Sequence, residues 1–277
     1  MRTSSNTFKS SQSVKDKKNS TSAGNNHSTG RGCLRIIGLG PGGREYITPR
    51  AIEALRDCDT VIGYKRYAGF VQDLLSGKEV IVSGMRAEKE RVGEAIESAQ
   101  QGRHTALLSS GDAGVYGMAG LVFEMLSEGD TLPVEVIPGI TAAQSAAACL
   151  GAPLMNDYAV LSLSDLMTPL NIIERRACAC AEGDLVTVLY NPKSNTRTEP
   201  FEKVINIFKT SRTVHTPVGV VRNALRFDQQ VTITDLAGIK RATVDMLSIV
   251  IIGNSCTEIR DGRLITRRGY FKSGSEK

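Results

Sequence analysis

Tryptophan is absent from this 277-residue sequence, and aromatic residues make up only 5% of it. So few rings leave little for bases to stack on, which argues against a single-stranded nucleic-acid binder. Histidine is almost as scarce, with His27, His104 and His215 alone. His27 lies in a polar N-terminal stretch and the other two precede apolar runs, so neither a catalytic triad nor a metal-ligand set is legible. No apolar run approaches the ~20 residues that span a bilayer, so no membrane partner is expected. The six cysteines, Cys33, Cys58, Cys149, Cys178, Cys180 and Cys256, are scattered. A chain of this length does not need disulfide staples, and the spacing points to reduced thiols and a cytoplasmic setting. Cys178 and Cys180 stand close together without His or further Cys beside them, which makes a poor metal site, and no metal is expected. Positive charge exceeds negative only mildly, 34 Lys and Arg against 29 Asp and Glu. That balance admits an anionic ligand without calling for nucleic acid.

What is present reads as an ordinary soluble protein, 41% hydrophobic and 23% charged. Residues 1–32 are rich in Ser, Thr, Asn, Lys and Gly and are expected to form a disordered tail. That segment lacks the apolar stretch of a secretory signal, and Met1, Phe8, Val14 and Ala23 make no amphipathic face of the transit-peptide kind. From Leu34 onward short apolar runs at 34–39, 60–62, 80–82, 105–109 and 134–137 read as strands. Between them lie helical patterns at 48–58, 87–101, 118–127 and 141–150, the first opened by Thr48-Pro49. This alternation is that of an α/β fold with a largely parallel sheet. Gly151-Ala152-Pro153 breaks it. A second half follows, with strands at 158–163, 185–189, 217–221, 230–235 and 247–252 and helices at 169–181 and 199–210. Less helix between its later strands predicts a mixed sheet there. The expected organisation is a tail (1–32), an N-terminal α/β domain (33–150), a C-terminal α/β domain (151–265) and a basic tail (266–277).

Gly38-Leu39-Gly40-Pro41-Gly42-Gly43 fits the G-x-G-x-x-G spacing of a dinucleotide-binding turn. Its context does not. The fingerprint needs a helix opening at the third glycine, so that the helix N-terminus faces the pyrophosphate. Here the helix start signals come at Thr48-Pro49, and "REYIT" intervenes as a loop. The acidic residue wanted after the second strand is missing too, because the chain continues "GYKRY". A nicotinamide or flavin enzyme is therefore disfavoured.

A strand, Gly-x-Gly-Pro-Gly, a loop and a Thr-Pro helix start together resemble the opening of the tetrapyrrole methylase family. "SSGDAGVYGMAG" (109–120) is similar to that family's second motif, with Ala113 in place of its usual proline. "VEVIPGITAAQSAAACLGAPL" (134–154) resembles the third, and "LYNPKS" and "TPVGVVRNALRFDQQ" extend the likeness through the second half. "SLSD", "LYNPKS" and "VVRNA" resemble the branch that methylates C-17 of precorrin-3B, or its cobalt-containing counterpart, and contracts the ring in cobalamin biosynthesis. The resemblance implies two α/β domains with the active cleft between them, S-adenosyl-L-methionine as methyl donor, a tetrapyrrole substrate and a homodimer. A sister enzyme acting at another carbon, an RNA- or diphthamide-modifying relative and a catalytically silent tetrapyrrole carrier stay open beside it.

Donor contacts implied by the resemblance fall on Pro41, Ser110, Gly111, Asp112, Val115, Thr141, Ala142, Tyr190 and Ala224. Relatives often carry Met and Gly at the last two positions. Asp112 reads either as a ligand contact or as a turn carboxylate. The acetate and propionate groups of an early corrin intermediate call for cations, and Lys193, Arg197 and Arg222 stand in strand-end loops beside the motifs. Ring contraction needs proton traffic, for which Ser162, Ser164 and Asp165 are the candidates, with a cap before the following helix as their other reading.

Overall fold

The structure, a computed structural model, describes residues 32–270. The expected tail, apart from Gly32, and residues 271–277 of the expected basic tail lie outside the described residues.

Strand β1 (Cys33–Gly38) runs through the middle of the first sheet, and Leu34, Ile36 and Ile37 on it are completely buried. Burial on both faces is what a central parallel strand requires, and it explains an apolar run rather than an alternating one. Strands β2 (Thr60–Tyr64), β3 (Glu79–Ser83), β4 (His104–Ser109) and β5 (Val134–Ile137) complete the sheet in the order β3-β2-β4-β1-β5. Every pairing in it is parallel. Its connections carry α1 (Pro49–Arg56), α2 (Lys65–Ala68), α3 (Glu88–Gln100) and α4 (Met118–Met125). The hydroxyl of Thr48 accepts from the Ala51 N–H at 3.2 Å, so α1 starts where its Thr-Pro signal places it. The preceding "REYIT" is not wholly loop, since Arg44–Tyr46 make a turn of 3-10 helix.

Helix α5 (Ala142–Leu150) ends the first run and leads to β6 (Gly151–Ala152). Strand β7 (Tyr158–Ser162), α6 (Leu170–Glu182), β8 (Val186–Tyr190), α7 (Glu199–Ser211), β9 (Pro217–Arg222), β10 (Gln230–Asp235) and β11 (Ser248–Ile252) follow. The second sheet has the order β10-β9-β11-β8-β7. It is mixed, as its spacing predicts: β7 runs parallel to β8 and the other pairings are antiparallel. A hairpin of β12 (Thr257–Arg260) and β13 (Arg263–Thr266) joins β6 in a small third sheet. The sequence reading missed this hairpin. Its Asp261-Gly262 turn, with both φ positive, is the residue pair that a tight two-residue hairpin selects.

Helix α5 packs on the second sheet, not the first. Ala143, Ala146, Ala147 and Leu150 share a buried cluster with Val186, Val188, Val221 and Ile251. The approach is close enough that a Cβ at Gly219 of β9 would stand 2.4 Å from Leu150 Cδ1. The alanine-rich helix and this glycine thus seat the last helix of the first half closely on the second sheet.

Candidate active site

The first sheet delivers three loops to one place at the C-terminal ends of β1, β4 and β5. Gly40 and Gly111 exchange backbone hydrogen bonds of 3.0 and 2.8 Å. Gly139 fits against both loops: a Cβ there would lie 2.2 Å from Gly111 O and 2.6 Å from Gly38 O, so no larger residue can stand at this crossing. Asp112 fastens the knot. Its Oδ1 accepts from Gly114 N–H at 2.8 Å and its Oδ2 from Gly139 N–H at 3.0 Å. This carboxylate has the turn role that its sequence position allows, while still lining the space below.

The second sheet contributes from the other side. Tyr190, at the end of β8, is buried, and its hydroxyl accepts from Ala143 N–H at 2.7 Å and lies 2.6 Å from Thr141 Oγ1. Burial pushes the Tyr190 pKa up, so the hydroxyl is protonated at neutral pH. In the loop after β9, Asn223 and Leu225 adopt positive φ on either side of Ala224. Arg226 Nε from the same loop donates to Pro41 O, tying the second half to the glycine-rich turn of the first.

These elements enclose a cavity of about 320 Å3, within the range of small-molecule sites. Pro41, Ser110, Gly111, Asp112, Val115, Thr141, Ala142, Tyr190 and Ala224 all line it. Residues outside the sequence reading line it too: Tyr64, Arg66, Tyr67 and Met85 from the first half, and Asn223, Arg226 and Met246 from the second. Asn223 Oδ1 is buried without a hydrogen-bond partner, an acceptor left over at the cavity wall. Small residues such as Ser110, Gly111 and Ala142 share the lining with apolar Val115, Leu247 and Ile249.

Residues 34–240 match the tetrapyrrole (corrin/porphyrin) methylases. The chain belongs to that family. It is 47% identical over 239 residues to a probable cobalt-factor III C(17)-methyltransferase of Salmonella typhimurium, covering 86% of this chain and 99% of that one. It is 45% identical to the cobalt-factor III methyltransferase of Priestia megaterium over 87% of its length, but spans only 45% of that longer protein. Among solved structures, that of the methyltransferase CobJ superposes with a TM-score of 0.80 at 31% identity, covering 85% of this chain and all of that one.

The remaining candidate residues of this tetrapyrrole methylase stand outside the cavity lining, each engaged elsewhere. Arg197 donates to Leu163 O and to Asn191 O, the latter at 2.7 Å, and its Nε lies 3.7 Å from Asp165 Oδ1. It ties the loops after β7 and β8 together. Arg222 pairs with Asp245 at 2.7 Å and reaches Asp228 at 3.8 Å. Burial alone would push the Asp245 carboxyl up, but Arg222, Leu247 N–H and the Ser248 hydroxyl outweigh it and hold its pKa below the usual value. Lys193 Nζ sits 4.7 Å above the Phe201 ring. The substrate cations expected from sequence are thus satisfied locally and are not brought to the cavity.

The expected acid-base groups share this fate. Ser162 Oγ accepts from Asn191 Nδ2 at 3.0 Å and from Ser164 N–H at 3.3 Å, which makes "SLSD" a hydrogen-bonded turn. Asp165 faces Arg197. Ser162 lines a separate space of about 220 Å3 with Tyr116, Thr168 and Arg176. The cations the cavity does present, Arg66 and Arg226, were visible in "GYKRY" and "RNALRF". What hid them was the absence of any sequence signal for which arginines lack a carboxylate partner.

Proposed function

We propose that this tetrapyrrole methylase transfers a methyl group from S-adenosyl-L-methionine to C-17 of a precorrin-3-level macrocycle, coupled to ring contraction in cobalamin biosynthesis. The observation that carries this reading is the convergence of all the expected donor contacts, drawn from both sheets, on one cavity. The cobalt-containing macrocycle is the favoured substrate, because relatives named for cobalt-factor III are up to 48% identical to this chain.

The cavity fits the donor. Gly111 in its lining exposes backbone without an intruding Cβ, Val115 and Ile249 add apolar surface, and Asn223 Oδ1 is an unused acceptor. When bound, the donor supplies an electrophilic methyl on a sulfonium, which needs no protein nucleophile. The residues then bind and orient: the Gly40–Gly111 knot fixes the floor, and Tyr190 holds the start of α5 against it. Their contribution to rate is alignment of donor and acceptor. Pro41, Ser110, Gly111, Asp112, Val115, Thr141, Ala142, Tyr190 and Ala224 are read as donor contacts. Arg197 with Asp165, and Ser162 with Ser164, are read as loop-positioning groups rather than as acid and base, on the hydrogen bonds they already make. The chain is read as N-terminal (33–150) and C-terminal (151–265) domains of a cytoplasmic homodimer, on the family resemblance, with α5 of the first segment packed on the second sheet.

The purified protein is incubated with methyl-labelled S-adenosyl-L-methionine and either cobalt-factor III or precorrin-3B, and label and absorption spectrum are followed together. Label in the macrocycle with a contraction spectrum from the cobalt substrate is expected. Donor binding without transfer to either macrocycle defeats the C-17 assignment.

A further inference from the structure

The charged residues lining the main cavity are Arg66, Asp112 and Arg226. Asp112 is occupied, with both oxygens accepting backbone N–H groups. The two arginines have no carboxylate partner. Among the described residues Arg66 makes no ion pair or hydrogen bond, and Arg226 contacts no carboxylate within salt-bridge distance. Asp228, in the same loop as Arg226, is held instead by Asn223 Nδ2 at 2.7 Å and Arg222 at 3.8 Å.

Nor are the two cations independent. Both line the main cavity and an adjoining, more open one, so they stand where the two spaces meet. Burial, and next the charge of Arg66, lowers the pKa of Arg226. A partly buried guanidinium beside a second one is unfavourable unless an anion completes the site. Aromatic rings stand around them. Arg226 lies 5.3 Å from the Phe70 ring and donates to Pro41 O. Arg66 sits on α2 beside Tyr67, whose ring contacts Tyr64 at 5.1 Å and Phe70 at 6.2 Å. Planar guanidinium groups suit carboxylates, which they grip in bidentate fashion.

We propose that Arg66 and Arg226 form a carboxylate clamp that grips acetate or propionate side chains on the rim of the macrocycle and so sets which ring faces the methyl donor. The clamp rests on the methyltransferase reading above and assigns the substrate-recognition role to residues other than Lys193, Arg197 and Arg222. Glu45 and Asp228 line the adjoining space, so the carboxylates are directed to the main-cavity side of the pair.

The test is binding of uroporphyrin III, a carboxylate-rich porphyrin, followed by absorbance at low and high salt for the wild type, Arg66→Gln and Arg66→Lys. Arg66 is exposed and makes no internal bond, so these variants keep the fold; Arg226→Gln also removes the Pro41 contact and serves as the second probe. Loss of one charge-assisted contact is expected to weaken binding about 10- to 100-fold in Arg66→Gln, with partial retention in Arg66→Lys. Affinity for S-adenosylhomocysteine is titrated alongside, and a loss there as large as the porphyrin loss also overturns the clamp. Equal porphyrin binding in wild type and Arg66→Gln, or no binding in either, overturns the clamp. Methyl transfer to cobalt-factor III with the same KM in both proteins overturns it too, and leaves the methyltransferase reading standing. A porphyrin-affinity loss in Arg66→Gln without methyl transfer by the wild type does the reverse.

Discussion

The hydroxyl of Tyr190 sits where a helix N-cap side chain ordinarily does. Thr141 occupies the cap position of α5 but makes no side-chain cap bond of its own. Tyr190 instead takes the Ala143 N–H, reaching across from β8, and Thr141 Oγ1 is held by the same hydroxyl. A methionine, the residue the resemblance leads one to expect here, could make neither bond. Tyr190→Phe keeps the ring and deletes the acceptor, so it isolates this role. The expected cost is about 1 kcal/mol, the usual value of a cap. A cost of that size lowers Tm by roughly 2–4 °C in a protein of this length. Because Thr141 and Ala142 line the cavity, S-adenosylhomocysteine binding weakens as well. Calorimetry and a binding titration check the two effects, and a Phe variant unchanged in both defeats the capping role. Tyr190 was legible as a cavity residue from its motif, whereas its partner 47 residues away was not. Asp112 shows the same limit, since its position was readable and its bond to Gly139 belongs to the fold.

At the scale of elements, α5 against β9 is the contact that seats the first half's last helix on the second sheet, and it can be tested by compensation. Gly219→Ala pushes a methyl into Leu150, which is 1% exposed and has little room to move. Overpacking of this kind costs about 1–3 kcal/mol. Leu150→Ala alone leaves a void and costs about 2–5 kcal/mol. Combined, the added methyl partly fills the void, so the double variant is expected to be less destabilised than the sum of the singles. Strict additivity in denaturant melts of all the variants rules out the contact. The elements themselves were largely readable. Thr48-Pro49 marked α1, and the apolar runs marked the strands of both sheets. Helix α2 was missed because Lys65–Ala68 is too short to show a periodic face. That α5 serves the second sheet was invisible because its small residues suit any close neighbour, and only Gly219 in space names the one it has.

The cavity belongs to the whole molecule, and its walls hold the two halves together. Arg226 ties to Pro41, Tyr190 to Ala143, and the Tyr116 hydroxyl donates to Val160 O at 3.3 Å. Tyr116 does so from a positive φ of 51°, an uncommon conformation for a bulky residue and one that the bridge helps to hold. A ligand in this space therefore contacts loops of both sheets at once and cannot stabilise one without the other. S-adenosylhomocysteine at a hundredfold its Kd is expected to add about 2.7 kcal/mol to stability. At roughly 2–4 °C per kcal/mol, Tm then rises by about 5–10 °C. The shape of the heat-capacity trace decides more than the shift does. If the cavity is shared, one transition moves as a unit, because unfolding either half destroys the site. Two transitions of which only one moves with ligand would place the donor within a single half. The bonds from Arg226 and Tyr190 would then be ornaments of the fold rather than parts of the site.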